Sequence, residues 1–213
     1  MGLRPGDLVL RASVVIVTAF ISDRGDEHLP RLKVSLKRLV TGQGDISYVF
    51  DDRDHNYGLA GNVRRAWEWA VDMDCDYLFH CEEDWLFEQP VNLKAMAWVL
   101  DSKPHLAQMI LRRGIEYGNP PEIAAGGWVE ANPDVYTEHT LGFHTYMEHR
   151  EIFSLNPCLI PRRILELGWD NDNERGFTQT CLDLGYSFGI WGPKVGDPHI
   201  IHTGQFRSAG WRP

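Results

Sequence analysis

Ser13-Val14-Val15-Ile16-Val17-Thr18 is a continuous run rich in β-branched residues, the pattern of a parallel strand buried on both faces. From Leu29 to Val40 the apolar positions fall at Leu32, Leu36 and Leu39 with basic residues between them, which predicts an amphipathic helix. Thr41-Gly42-Gln43-Gly44 breaks it, and Ile46–Phe50 reads as a second strand ending in Asp51-Asp52. A helix follows from about Leu59 to Val71, with Val63, Ala66, Trp67 and Ala70 on its inward face. Tyr77–Cys81 is a third strand, ending in Glu82-Glu83-Asp84 before the chain turns apolar again at Trp85-Leu86-Phe87.

The second half is less regular. Pro90 precedes a helix from about Asn92 to Leu100, and His105–Leu111 reads as a strand. From Arg113 to Arg150 the periodicity dissolves into a stretch rich in Gly, Pro, His and aromatics, longer than an ordinary connection and of the kind that forms binding loops. Phe153–Ile160 looks like another strand, Pro161 opens a helix ending near Gly168, and Gly176–Leu184 looks helical with Gly185 at its end. Ser187–Trp191 is a last short strand, and residues 192–213 look irregular. Strand–helix alternation predicts an α/β fold with a mostly parallel central sheet, right-handed crossovers and flanking helices. Ligands of such sheets bind beyond the carboxyl ends of the strands, where both acidic groups, Asp51-Asp52 and Glu82/Asp84, are expected.

At 213 residues the chain suggests one domain. Its 43% hydrophobic and 24% charged residues are those of a soluble globular protein, and its net charge of -9 argues against a general attraction to nucleic acid or anionic membrane. Cys75, Cys81, Cys158 and Cys181 show no zinc or redox spacing and read as buried thiols. The run from Ser13 to Phe20 is too short for a membrane span and no signal-peptide layout is present, which predicts a cytoplasmic protein.

Three groups carry candidate chemistry. Side chains two apart on an extended backbone point the same way, so Glu82 and Asp84 can share one hard cation, Mg²⁺ or Mn²⁺; a solvated acidic turn is the plain alternative. His199 and His202 lie three apart, and His202, followed by Thr203-Gly204, is the better candidate ligand. Arg207 can meet a phosphate. In Asp170-Asn171-Asp172-Asn173-Glu174 some side chains are expected only to cap the next helix, Asp172 or Asn173 serving that role, which leaves Glu174 as a candidate base. At the nucleotide end, Thr18-Ala19-Phe20 can offer backbone groups and a ring, Asp51 or Asp52 can accept from base or ribose, and Asn56, Gly58 and Asn62 are contacts or turn and cap residues. Glu83 is placed with the nucleotide-contacting set.

The order of these features resembles GT-A glycosyltransferases, in particular the inverting family 2 type. The matching segments are Val15-Ile16-Val17-Thr18, Val49-Phe50-Asp51-Asp52, Asn56 through Asn62, Asp76 through Asp84, and Asn171 through Gly185, together spanning about Ser13 to Trp191. The resemblance implies a GT-A, Rossmann-like fold with an irregular acceptor-side insertion, its nucleotide-sugar-binding half over residues 1–112 and its acceptor-side half over 113–213. It implies transfer of a sugar, with inversion, from a nucleotide-sugar, UDP being the expected nucleotide, to a hydroxyl acceptor such as a glycan or protein. It assigns Asp51 or Asp52 to uracil or ribose, Asp84 and Glu82 to the metal with His202 as an additional ligand, and Glu174 to the catalytic base, with Asp172 beside it. Glu82 stands where the family has its first Asp, so Asp84 and His202 are expected to be the main ligands. The alternatives are a nucleotidyltransferase that makes the sugar nucleotide, a metal-dependent hydrolase using Asp84, His199 and His202, and a non-catalytic carbohydrate-binding protein.

Overall fold

The computed structural model describes residues 12–17, 23–41, 46–50, 57–112, 129, 133–170 and 173–203. Helix α2 (Gly58–Asp72) buries the predicted stripe of Val63, Ala66, Trp67 and Ala70. Helix α1 (Asp23–Leu39) begins earlier than expected and runs through Pro30, burying Leu32 and Leu36. Strands β1 (Ala12–Val17), β3 (Ile46–Phe50) and β4 (Tyr77–Glu82) are the three expected runs. A two-residue strand β2 (Val40–Thr41) pairs with β6 (Val91–Asn92), and β5 is Trp85–Phe87. Asn92 caps α3 (Leu93–Ser102) by accepting from Ala95 N at 3.2 Å. The rest is β7 (Leu106–Leu111), β8 (Thr137–Leu141), β9 (His144–His149), β10 (Cys158–Pro161), α4 (Arg162–Leu165), α5 (Glu174–Asp183), β11 (Ser187–Trp191) and β12 (Ile200–His202).

Eight strands form one sheet in the order β3-β1-β4-β10-β7-β11-β9-β8. The expected parallel pairing holds in two blocks, β3-β1-β4 and β7-β11. The sheet as a whole is mixed, because β10 runs antiparallel to both β4 and β7, and β9 and β8 add antiparallel pairs at the far edge. A strand buried on both faces has the same hydrophobic pattern in either direction, so Cys158–Pro161 gave no sign of its reversal. Helices α1 and α3 cover one face, where Phe79, Cys81, Met109, Leu111 and Leu159 lie. Helices α2, α4 and α5 cover the other, over Leu78, Ile110, Cys158, Ile160 and Phe188. There Trp67 meets Trp169 and Phe177 at ring distances of 5.3 and 5.1 Å, edge-to-face contacts that favour one packing arrangement over others. All four cysteines are free and buried, as expected. No helix among the described residues is long and apolar enough to cross a membrane.

Part of the 113–150 stretch expected to be irregular is ordered. Residues 137–149 form a hairpin on the sheet edge, closed by Gly142-Phe143 with Leu141 opposite His144. Gly142 has φ +58, the conformation that two-residue hairpin turns require at their first position. Tyr136 is buried against His149 at 5.4 Å, and His144 packs between Trp98 and Trp191. Trp128 lies outside the described residues. Conversely, of the strand expected over Phe153–Ile160 only β10 forms; residues 153–157, buried except for a half-buried Asn156, make a loop.

The hairpin delivers His149 into the core. Burial pushes its ring down to about 4, against a smaller opposing pull from Glu148. Its Nδ1 accepts from Glu151 N, and its Nε2 has no hydrogen-bond partner among the described residues. Above about pH 6.5 the ring is neutral in both folded and unfolded chains. As pH falls below that, the unfolded chain takes up a proton that the folded one refuses until about pH 4, so stability falls with acid. One such ring removes about 2 kcal/mol between pH 7 and pH 5. In His149→Phe the loss of unfolding free energy over that interval, read from urea titrations, is expected to shrink by about this amount; an unchanged loss would assign it to other groups.

Candidate functional site

Strands β1, β3, β4, β7 and β11 all end at one edge of the sheet, the place predicted for a ligand. Here β4 turns at Glu83-Asp84 into β5, which β12 joins as an antiparallel partner. The register sets His202 opposite Trp85. Its Nε2 therefore stands 2.9 Å from Asp84 Oδ2 across 118 residues of sequence, and its ring packs 4.7 Å from that of Trp85. Thr203 completes the join: its N–H and hydroxyl donate to Asp84 O at 2.7 and 2.9 Å. That hydroxyl has one proton, so it accepts from His28 Nδ1, 3.2 Å away. The two expected principal ligands thus meet, on a ribbon in a tail that the sequence left irregular.

His199 does not join them. Its N–H donates to Arg112 O at 2.8 Å, its carbonyl accepts from Glu88 N, and its ring lies under Gly192, where a Cβ would come within 2.9 Å of Cε1. Burial, reinforced by Arg112, pushes that ring down to about 4. Three residues apart on a strand end are on opposite sides, so the pair expected from spacing divides into one site residue and one packing residue.

Carboxylates crowd the same edge. Glu82 is partly buried, and its carboxyl is held well above the usual carboxylate range, first by burial and then by Asp84, Glu174 and Glu83. Glu83 is 6% exposed and Asp84 retains 14% side-chain exposure. Such a gathering favours a cation or a shared proton. Among the described residues, no group of three or more His, Cys, Asp or Glu stands ready to hold a metal. A hard divalent ion often takes only one or two protein groups and completes its shell with water and phosphate oxygens, so Asp84, Glu82 and His202 suit that donor chemistry as a partial set.

Glu174 enters from α5. Asn173 is the cap, its Oδ1 accepting from Gly176 N at 2.9 Å, and Glu174 is the first helical residue. Its Oε1 accepts from Leu155 N at 2.6 Å. Thr178 Oγ1 donates to Glu174 O at 2.6 Å and accepts from Phe153 N at 2.9 Å, so the buried loop 153–157 is docked on the first turn of α5. Glu174 adds to the upward shift of both the Glu82 carboxyl and the Cys158 thiol. The neighbouring Cys158 thiol, pushed well up by burial, is not a nucleophile at neutral pH.

The nucleotide-side residues are less fully defined. Gly58 is the first residue of α2, with φ +66. Asn62 is fully buried and its Oδ1 accepts from Arg65 at 2.9 Å; Arg65 in turn lies 4.3 Å over the Tyr57 ring. Thr18, Ala19, Phe20, Asp51, Asp52, Asn56, Asp172 and Arg207 lie outside the described residues. Sequence reasoning missed the loop 153–157 and Gln108 behind it. The available signal was the buried run Phe153-Ser154-Leu155 ending at Asn156-Pro157, whose polar and Pro residues interrupt strand periodicity.

No protein-family model matches the chain, and no curated protein matches it. Among solved structures, the crystal structure of A197 from STIV superposes with a TM-score of 0.49 at 14% identity, over 90% of this chain and 82% of that one. At that level the likeness carries no argument about function.

Proposed function

We propose that this chain is a metal-dependent glycosyltransferase of the GT-A type, moving a sugar from a nucleotide-sugar, with UDP as the expected nucleotide, to a hydroxyl acceptor with inversion. The observation that carries this reading is the Asp84–His202 contact at 2.9 Å, formed at the carboxyl edge beside Glu82 and within electrostatic reach of Glu174. The sheet is consistent with it in part: β3-β1-β4 form a parallel block whose carboxyl ends lie at this edge, while β10, from the second half of the chain, is inserted antiparallel between β4 and β7.

In this reading Asp84 and His202, with Glu82, hold Mn²⁺ or Mg²⁺. Such an ion, when bound, neutralises charge on a departing diphosphate. The protein's own groups divide the remaining work. Thr203 fixes the Asp84 backbone through two hydrogen bonds to one carbonyl, so the turn carrying the carboxylate is preset. Trp85 supports the His202 ring from beneath. Glu174, anchored by Leu155 N–H, takes the proton from the acceptor hydroxyl as it attacks the sugar carbon.

Incubating the protein with a panel of UDP-sugars, with and without Mn²⁺, tests the reading. Metal-dependent release of UDP, raised by an acceptor, is the expected result. Absence of release and of any thermal shift with nucleotide plus metal would overturn it.

A further inference from the structure

Four consecutive backbone N–H groups in the buried loop, Phe153 to Asn156, are satisfied by side chains instead of a strand partner. Their acceptors are Thr178 Oγ1, Gln108 Oε1, Glu174 Oε1 and Ser154 Oγ, at 2.9, 2.9, 2.6 and 3.2 Å. Gln108 is the only one of these acceptors in the central sheet, and it is fully buried. Leu106 pairs with Ser187 and Met109 with Gly189, so Ala107 and Gln108 together face Phe188. Two residues against one is a β-bulge, which re-aims a side chain out of the normal alternation. Gly189 lets the strands close on it: a Cβ there would lie 3.0 Å from Gln108 O.

With its amide turned so that donor meets acceptor, Gln108 donates to Ser154 O and accepts from Ser154 N, both at 2.9 Å. Both main-chain groups of one residue are thereby held by one side chain. The next N–H along, that of Leu155, grips Glu174 Oε1. Glu174 needs such a grip, because a glutamate side chain has several rotamers to escape into.

We propose that Gln108 is a positioning residue for Glu174: by holding Ser154 it fixes the Leu155 N–H that keeps the Glu174 carboxylate at the acidic strand end. The consequence for turnover rests on the transferase reading given above; the mechanical link does not. Gln108 touches neither substrate nor metal and acts only through the loop.

Gln108→Met keeps the side chain's length and removes both hydrogen bonds. Amide hydrogen exchange at Leu155 is expected to speed up by about 10-fold or more, a local opening that global unfolding does not cause. With UDP-sugar and Mn²⁺, kcat is expected to fall roughly 10- to 100-fold, the scale of a misplaced catalytic group, with donor KM within about two-fold of the wild type. Gln108→Glu keeps an acceptor for Ser154 N and should recover part of both effects. It also supplies the measurement if the methionine variant fails to fold, since it must still show faster Leu155 exchange and lower kcat than the wild type. Wild-type Leu155 exchange in a folded variant, or kcat and donor KM changing together, would overturn the proposal. A wild-type protein that turns over no UDP-sugar overturns the transferase reading, and Leu155 exchange then still decides the link from Gln108 to Glu174.

Discussion

Replacing Asp84 with alanine is expected to abolish the manganese-dependent part of UDP binding while leaving the fold intact. The side chain's interaction with His202 joins a 14% exposed carboxylate to a 30% exposed imidazole. A single hydrogen bond of this kind contributes about 0.5–1.5 kcal/mol to stability. The ribbon does not depend on it, because Thr203 bonds to the Asp84 backbone carbonyl, which alanine retains, and β5 keeps its pairing with β12. The metal has no such substitute. Loss of a group that only orients a ligand already costs about 10- to 100-fold in metal affinity, so loss of the principal ligand should cost at least ~100-fold. Calorimetric titration of UDP with and without Mn²⁺ measures this directly. His202→Ala should show a smaller loss of the same kind. Undiminished metal dependence in Asp84→Ala would put the metal elsewhere.

Glu174→Gln is expected to bind UDP and Mn²⁺ normally and to transfer sugar at least ~100-fold more slowly, the scale of a lost general base. The structure sharpens this test. Glutamine keeps a carbonyl oxygen that can still accept from Leu155 N, so the anchor survives while the basicity goes. Glu174→Ala removes both. It should lose turnover to the same extent and also be less stable, by about 1.5–3 kcal/mol for a hydrogen bond to a charged group, read from urea unfolding. A variant series in which glutamine transfers normally and alanine is merely unstable would make Glu174 a clamp for the loop and shift the base to Asp172 or Asp170.

Much of the framework was legible from local pattern. The β-branched run gave β1 to within a residue, Ile46–Phe50 and Ser187–Trp191 are the observed strands, and α2 buries the stripe its period implied. Gly185, at φ +86, ends α5 as its position suggested. Asn173 caps that helix and leaves Glu174 for another use. Asp84 and His202 were also readable as candidates, each from its chemistry and the Gly, Thr or strand end beside it. These are properties that a few neighbouring residues settle, because backbone geometry imposes periods of 2 or 3.6 and caps act over three or four positions.

What the chain alone did not contain was who meets whom. The reversal of β10, the docking of the 137–149 hairpin on β11, the bulge that turns Gln108 onto Ser154, and the 2.9 Å contact between Asp84 and His202 all join segments far apart in sequence. Residues 153–157 are the clearest case. Their apolar pattern correctly announced burial and wrongly announced a strand, because burial can be satisfied by any arrangement that pairs the backbone polar groups. Here side chains from β7 and α5 do so. Periodicity records which side of a segment faces the core. Strand direction, register and the partner of each buried N–H depend on how all the segments pack together, and only the assembled tertiary structure decides them.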